Sequence, residues 1–327
     1  MVDMTEARLK EIFQTFDTRK LIVIGDLMLD SYIWGRVNRI SPEAPVPVVD
    51  VDNISFCFGG AANVCYNALS LGAQVVPIGV IGNDNEGAIL RTLFAEKGFP
   101  VHGLIKDDSR VTTVKTRIMA EGQHVVRTDR EVKDPIPLET QQKIFDLLAS
   151  ELEEADGIIL EDYNKGLLIP ETIREIIAIA NRSGKKVFVD PKFDNFFQYK
   201  HVTLFKPNRK EAADRLGFRL NSDENLGKAG ARLLAELECD AVMITLGEEG
   251  MILFEKDHPP VKVPTLAVRV HDVSGAGDTV IATMAVAFCS GATLREAATL
   301  ANHAAGIVVG EVGITPIEKD RLWKTMF

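Results

Sequence analysis

Two glycines separated by one alanine, with an acid directly behind them, make His271-Asp272-Val273-Ser274-Gly275-Ala276-Gly277-Asp278-Thr279 the segment best equipped for chemistry. Glycine lets backbone N–H groups crowd toward a ligand. The apolar run at 280–288 that follows reads as a helix whose N-terminal dipole favours negative charge. A phosphate group suits such a place. Asp278 opens the same helix, so a carboxylate and an anion nest share one spot, as is needed to deprotonate an alcohol while it attacks a phosphoryl group. Taken alone, the pattern is also compatible with an Asp278 that only caps a buried helix. A second glycine pair lies in Phe58-Gly59-Gly60-Ala61-Ala62-Asn63-Val64, ahead of a helical pattern reaching Leu71. Its Asn63 can both donate and accept hydrogen bonds, as a polyol partner requires, whereas a tight turn is the plainer reading of the glycines.

Such groups need a rigid frame. The chain has 327 residues, 46% of them hydrophobic, which is ample for one large α/β domain with a full core and a small appendage. A formal charge of −10 argues against nucleic acid or an anionic membrane as the main partner and favours small molecules. Cys57, Cys65, Cys239 and Cys289 lack CxxC spacing and read as reduced thiols without a catalytic role. Met1-Val2-Asp3-Met4-Thr5-Glu6 is polar and acidic, and no apolar run is long enough to span a bilayer. A soluble, cytoplasmic protein without a signal peptide is expected.

Short apolar runs at 21–25, 75–80, 157–160, 187–189, 202–205 and 241–246 read as buried strands. They alternate with helical patterns at 86–97, 138–154, 170–183, 211–217 and 226–237, which predicts a doubly wound, mostly parallel sheet with helices on both faces. The first strand ends in Gly25-Asp26 and, after an apolar triplet, Asp30, and strand ends of this kind face ligands in open α/β sheets. Residues 45–52, and 111–119 followed by a Gly-containing turn at 121–123 and then 124–128, break the rhythm and read as β-rich pieces. A small sheet built near 31–56 and 111–130 would cover a sugar site as a lid, an ordinary edge hairpin being the alternative. No linker or repeat divides the chain, so residues 1–327 are expected to form one unit.

Together with Asp30, these two glycine segments resemble the signatures of the ribokinase/PfkB carbohydrate kinase family. Lys206-Pro207-Asn208-Arg209-Lys210-Glu211 and Thr245-Leu246-Gly247-Glu248-Glu249-Gly250 are similar to that family's other two motifs, in the expected order. The resemblance, which covers essentially the whole chain, implies a ribokinase-like fold and an ATP-dependent sugar kinase. It implies Asp278 as base, Gly275, Ala276 and Gly277 as anion hole, and Asn208 and Glu211 as organisers of Mg²⁺ and the nucleotide phosphates. Thr245, Gly247, Gly250 and Asn302 would lie at ATP, and Asp272, Ser274, Val308, Glu311 and Gly313 would surround a potassium ion, mostly through backbone oxygens. From the residues alone, Asn208 is as well explained by capping the helix containing Glu211, and the Gly247 to Gly250 segment by a hairpin turn between Ile244 and Ile252. P-loop spacing and a GxGxxG after the first strand are absent, which removes the P-loop ATPase and nicotinamide dehydrogenase readings.

Gly25-Asp26-Leu27-Met28-Leu29-Asp30, Arg39-Ile40-Ser41-Pro42-Glu43-Ala44-Pro45-Val46-Pro47-Val48 and Gly59 to Asn63 are similar to the family members that phosphorylate D-glycero-β-D-manno-heptose 7-phosphate at its anomeric hydroxyl for lipopolysaccharide precursor synthesis. Asp162-Tyr163-Asn164-Lys165-Gly166 and Asp190-Pro191-Lys192 extend the likeness, while Ser274, Glu161 and Cys57 depart from it. Expected sugar-side residues are Asp30, Gly59, Gly60, Asn63, Arg117, Asp162, Lys165 and Lys192, with Arg36, Arg39 and Arg127 as further cations for a distal phosphate. The alternatives are a kinase of fructose, ribose or a hexose phosphate, or a silent relative that only binds sugar or nucleotide. The resemblance further implies a homodimer through the small sheet. A nucleotidyltransferase domain that often follows has no room before Phe327, so a stand-alone kinase or kinase half is expected.

Overall fold

The computed structural model describes residues 4–266, 273–311 and 313–326. The chain begins α1 (Glu6–Thr15), β1 (Lys20–Gly25), β2 (Leu27–Ile40), β3 (Pro47–Gly60), α2 (Ala61–Ser70), β4 (Gln74–Gly82), α3 (Asn85–Glu96) and β5 (Leu104–Asp107). It continues β6 (Thr113–Ala120), β7 (Gln123–Arg130), α4 (Leu138–Glu151), β8 (Gly157–Glu161), α5 (Pro170–Arg182), β9 (Lys186–Asp190), β10 (Leu204–Phe205), α6 (Arg209–Leu216) and α7 (Asp223–Leu237). The last elements are β11 (Ala241–Thr245), β12 (Met251–Glu255), β13 (Val261–Val263), α8 (Ala276–Cys289), α9 (Leu294–Val308) and α10 (Lys319–Lys324).

Nine strands form one sheet in the order β13-β12-β11-β10-β9-β8-β1-β4-β5. Every pairing from β11 through β5 is parallel, and β12 and β13 extend the sheet antiparallel at one edge. Alternate strand residues feed two cores, which is why the strands read as unbroken apolar runs. Leu21 and Val23 pack with residues of α1, α2, α3, α8 and α9, whereas Ile22 and Ile24 pack with residues of α4, α5, α6 and α7. Helices therefore cover both faces, as the alternating pattern predicts.

One of these helices is unusual. In α8 the residues Asp278 to Ala287 are all buried, the signature of a helix with no solvent face. It lies in the core beside α2 and α9, and its first turn is thereby carried into the interior with an acid on it.

A second sheet of four strands runs β3-β2-β6-β7. The β-rich reading of residues 45–52 and 111–128 falls on β3, β6 and β7, and the small sheet expected near 31–56 takes in most of β2, which begins earlier than expected, at Leu27. Asp30 does not follow the end of β1; it sits inside this 14-residue strand, paired with Cys57 on β3 and Lys115 on β6. The inner part of β2, Leu27 to Tyr32, is buried whether its residues are apolar or, like Asp30 and Ser31, polar, and the strand becomes exposed toward Ile40, so no single period spans it. The run at 202–205 is also shorter as strand than expected, since only Leu204–Phe205 pair with the neighbours. The Gly247 to Gly250 segment does join two antiparallel strands, β11 and β12, in agreement with the hairpin alternative.

Between the two sheets, Asp26 links β1 to β2. Its Oδ2 accepts the backbone N–H groups of Tyr163 at 2.7 Å and Lys165 at 3.1 Å. Burial, with the charge of Asp162 adding to it, pushes this carboxyl up to about 7, from an ordinary value of 3.8. Between those values the unfolded chain releases the proton while the folded chain keeps it, so stability falls as pH rises from roughly 4 to 7, by on the order of 2–4 kcal/mol. Asp26→Asn preserves an oxygen for both amides and should remove that slope. Urea unfolding of both proteins at pH 4.5 and 7.5 is the measurement, and parallel pH dependences would count against it.

Candidate active site

The carboxyl ends of adjacent strands present a row of polar groups. β11 ends on Thr245, Lys206 follows β10, β9 ends on Asp190, β8 on Glu161, and Asp26 follows β1. This edge is where open α/β sheets bind ligands. The first turn of α8 lies against it, and carboxylate oxygens of Glu161, Asp190 and Asp278 come within 4.8 Å of one another. Lys206 answers this negative charge, its Nζ lying 2.6 Å from Asp190 Oδ2 with both side chains buried.

Asp278 is 5% exposed, and both of its oxygens are engaged. Asn63 donates through Nδ2 to Oδ2 at 2.7 Å, and the Tyr163 hydroxyl donates to Oδ1 at 3.0 Å. Burial raises the Asp278 carboxyl above the ordinary carboxylate range; the charge of Asp190 adds to this, while the bonds from Asn63 and Tyr163 and the Lys206 charge oppose it. A carboxylate held in this way is oriented and more basic than a solvated one. Asn63 is fixed in turn by Asn67, whose Nδ2 donates to its backbone oxygen at 2.9 Å and whose Oδ1 accepts from Thr279 at 3.0 Å.

The glycines have particular reasons. Gly275 adopts φ +79°, and a Cβ there would lie 2.7 Å from Asn63 Nδ2, so a side chain would strain the turn and push Asn63 off Asp278. At Gly277 a Cβ would meet only ordinary contacts, 3.5 Å from Lys206 Nζ and 3.6 Å from Asp190 Oδ2. Ala276 lies between them as the first residue of α8. Gly59 is forced by Asp30, whose Oδ2 lies 2.7 Å from where its Cβ would be. Gly60 combines φ +54° with the Asp26 carbonyl at 2.6 Å. The glycine pair thus makes room for the Asp30 carboxyl and for the backbone at Asp26.

On the small-sheet side, Asp30 is 3% exposed and bound to Arg117 at 2.8 Å. Its burial outweighs the arginine and raises its carboxyl. Asp162 behaves differently from the expectation of a sugar contact. It is fully buried, accepting from the Tyr199 hydroxyl at 2.7 Å and from the Asn164 amide at 2.7 Å, so its oxygens are consumed in anchoring the loop after β8. Lys165 is paired with Glu131 at 2.6 Å and Lys192 with Glu211 at 3.0 Å.

On the other side of α8 lies a cavity of about 530 Å³. Thr245, Gly247, Gly250, Ala276, Gly277 and Asn302 all line it, so four of the six residues assigned to ATP meet there from β11, the turn after it and α9, beside the first turn of α8, while Asn208 and Glu211 do not line it. Asn302 is turned to its wall, donating to the Pro264 carbonyl at 2.8 Å. Asn208 and Glu211 form a capping box on α6, Asn208 Oδ1 accepting from the Glu211 amide and Glu211 Oε2 from the Asn208 amide. The helix-cap alternative for Asn208 is therefore what its side chain does. Of the residues expected around a monovalent cation, Asp272 lies outside the described residues. Ser274 precedes α8, Val308 ends α9, Glu311 is bonded to Arg321 at 2.7 Å and Gly313 adopts φ +80°.

Tyr163, Asp190 and Lys206 were not singled out from the sequence as site residues. Asp190 and Lys206 each follow a short apolar strand run, and a charge at that place was a legible signal. Tyr163 lies in a segment that extends the family likeness, but its bond to Asp278 was not legible, because the two are 115 positions apart.

Residues 18–320 match the family described as pfkB family carbohydrate kinase. The chain belongs to that family. This pfkB kinase is 43% identical over 314 residues to the bifunctional protein HldE of Geotalea uraniireducens, covering 96% of this chain and 64% of that one. Its identity to the bifunctional protein HldE of Helicobacter pylori (strain J99) is 43% over 295 residues, covering 90% and 64%. It thus spans just under two thirds of the length of these curated relatives. In fold it is similar to the ribokinase of Arabidopsis thaliana, solved with ribose and ATP, with a TM-score of 0.75 at 18% identity over 94% of this chain and 98% of that one. Phosphofructokinase-2 from Escherichia coli, solved in complex with potassium, superposes with a TM-score of 0.77 at 20% identity over 94% and 98%. The ribokinase-like architecture of a large sheet and a separate small one is common to these carbohydrate kinases.

Proposed function

We propose that this pfkB kinase transfers the γ-phosphoryl group of ATP to the anomeric hydroxyl of D-glycero-β-D-manno-heptose 7-phosphate, giving the 1,7-bisphosphate and ADP. The observation that carries the kinase chemistry is Asp278, held by Asn63 and Tyr163 in the first turn of α8, with the cavity bearing Gly247 and Asn302 on one side and the Asp30 and Arg117 pair on the other. The heptose acceptor is supported by the sugar-side sequence segments and by 42–46% identity to proteins named HldE.

Asp278 would accept the hydroxyl proton as the sugar oxygen attacks. The N–H groups of Gly275, Ala276 and Gly277 would stabilise charge developing on the phosphoryl oxygens, in the manner of an oxyanion hole. Among the described residues nothing closer than ordinary contact demands glycine at 277, which is consistent with a phosphate taking the space beside it. Lys206 would stand near the transferred group. Asp30, Asn63, Arg117, Gly59 and Gly60 would form the sugar side, joined by Lys165 and Lys192.

A divalent cation suits the donor set. Both oxygens of fully buried Glu161 lack a hydrogen-bond partner among the described residues and lie beside Asp190, and hard carboxylate oxygens are what Mg²⁺ takes. Glu211, bonded to Lys192, would act on it indirectly. Bound there with ATP, Mg²⁺ would neutralise phosphate charge. A potassium ion would be held by backbone oxygens around Ser274, Val308, Glu311 and Gly313.

We read residues 1–327 as one kinase unit, with the small sheet as a lid that excludes water from the sugar. A homodimer through that sheet is supported by the exposed apolar side chains of Val51, Ile54, Phe56 and Val126 on it. None of the helices among the described residues is long and apolar enough to cross a membrane, and we place the enzyme in the cytoplasm. ADP release measured across heptose 7-phosphate, fructose, ribose and their phosphates tests the acceptor. Preferred turnover of heptose 7-phosphate is expected, and preference for any other member of the panel would refute the heptose assignment.

A further inference from the structure

The arginines and lysines that the sequence offers for a distal phosphate are largely committed elsewhere. Arg36 is paired with Asp52, Arg117 with Asp30, Arg127 with Asp129, Lys165 with Glu131 and Lys192 with Glu211. Arg39 is exposed near the outer end of β2. Lys115, which the sequence reading passed over, is different. It is half-buried on β6 and, among the described residues, its ammonium has no ion pair or hydrogen bond. It lies over the Tyr163 ring, 4.9 Å from the centroid, and that same ring carries the hydroxyl bonded to Asp278.

The neighbours of Lys115 sharpen the point. In register beside it stand Asp30 on β2 and Asp129 on β7, and side chains paired in this way share one face of a sheet. Each of these acids is already bonded to its own arginine, so the face carries one cation in excess. Burial lowers the Lys115 pKa, with Asp30 opposing from a distance. A half-buried charge without a counter-ion is costly unless a ligand supplies one.

We propose that Lys115 is the specificity residue for the acceptor's phosphate: its ammonium, held over Tyr163 at one ring's remove from the candidate base, takes the dianion at the end of the sugar away from the attacked hydroxyl. This rests on the kinase reading above but not on the sugar being a heptose.

The test measures steady-state kinetics of the wild type, Lys115→Met and Lys115→Arg on heptose 7-phosphate, fructose 6-phosphate and ribose 5-phosphate, each beside its unphosphorylated sugar. In Lys115→Met, KM for the phosphorylated acceptor that the wild type prefers should rise roughly 10- to 100-fold, the range for one lost charge-assisted bond. KM for ATP and the thermal midpoint should stay put, and arginine should restore most of the loss. The wild-type panel alone decides the heptose assignment. If the wild type prefers another sugar phosphate, that assignment fails and the same Lys115→Met ratio on that acceptor judges Lys115. An unchanged KM for the preferred sugar phosphate overturns the proposal, as does a wild type that prefers unphosphorylated sugars.

Discussion

Asp278→Asn should lower kcat by about two to four orders of magnitude, the usual contribution of a general base, while ATP binding measured by calorimetry stays nearly intact. The substitution is close to isosteric and leaves the cavity lined by Gly247 and Asn302 untouched. It cannot accept a proton, and its amide would face the donors on Asn63 and Tyr163. A pH profile adds a second readout. Burial raises the Asp278 carboxyl, so the acid limb of wild-type kcat/KM should sit above the ordinary carboxylate range, and activity should be lost as pH falls through it. Turnover of the variant within tenfold of wild type would remove Asp278 from the role of base.

Lys206→Met should destabilise the fold by about 3–5 kcal/mol, the range for removing one partner of a buried ion pair. Among the described residues the ammonium is the one cation bonded to Asp190, at 2.6 Å, in a pocket where Glu161 and Asp278 also bring carboxylate oxygens within 4.8 Å. Without it, the buried Asp190 charge is left unpaired beside two acids whose carboxyls burial already raises, with little water to screen it. Urea denaturation at constant slope reads the effect. The double variant Lys206→Met/Asp190→Asn should recover part of the loss, because it leaves no orphaned charge. A single variant that loses less than about 1 kcal/mol, the range typical of a surface pair, would show that the pair is solvated in practice.

How far the sequence reaches differs by element. Strands such as β1 and β8 are legible because burial on both faces leaves an unbroken apolar run, and α5 because its buried positions recur at helical spacing. The start of β2 was not legible because the strand passes from a buried environment to an exposed outer end along its length, and a pattern read in one environment fails in the next. The glycines were legible as places of close approach, but what approaches them was not. Gly59 makes room for Asp30 and Gly275 for Asn63, and these partners are set by how β2, β3, α2 and α8 cross.

The sequence by itself determined the kinase signature: an acid behind a glycine nest at a helix start, four motifs in order, and alternating strands and helices that carry them. Those are local features, fixed by residue type and spacing. Only the tertiary structure decided which charges remain available. It consumed Asp162 in a buried bond to Tyr199, used Asn208 as a helix cap, paired most of the expected phosphate ligands with acids, and left Lys115 without one among the described residues. The physical reason is that an ion pair depends on distance through space and on exclusion of water. Both are set by the meeting of strands and helices far apart in the chain, and spacing along the chain does not encode them.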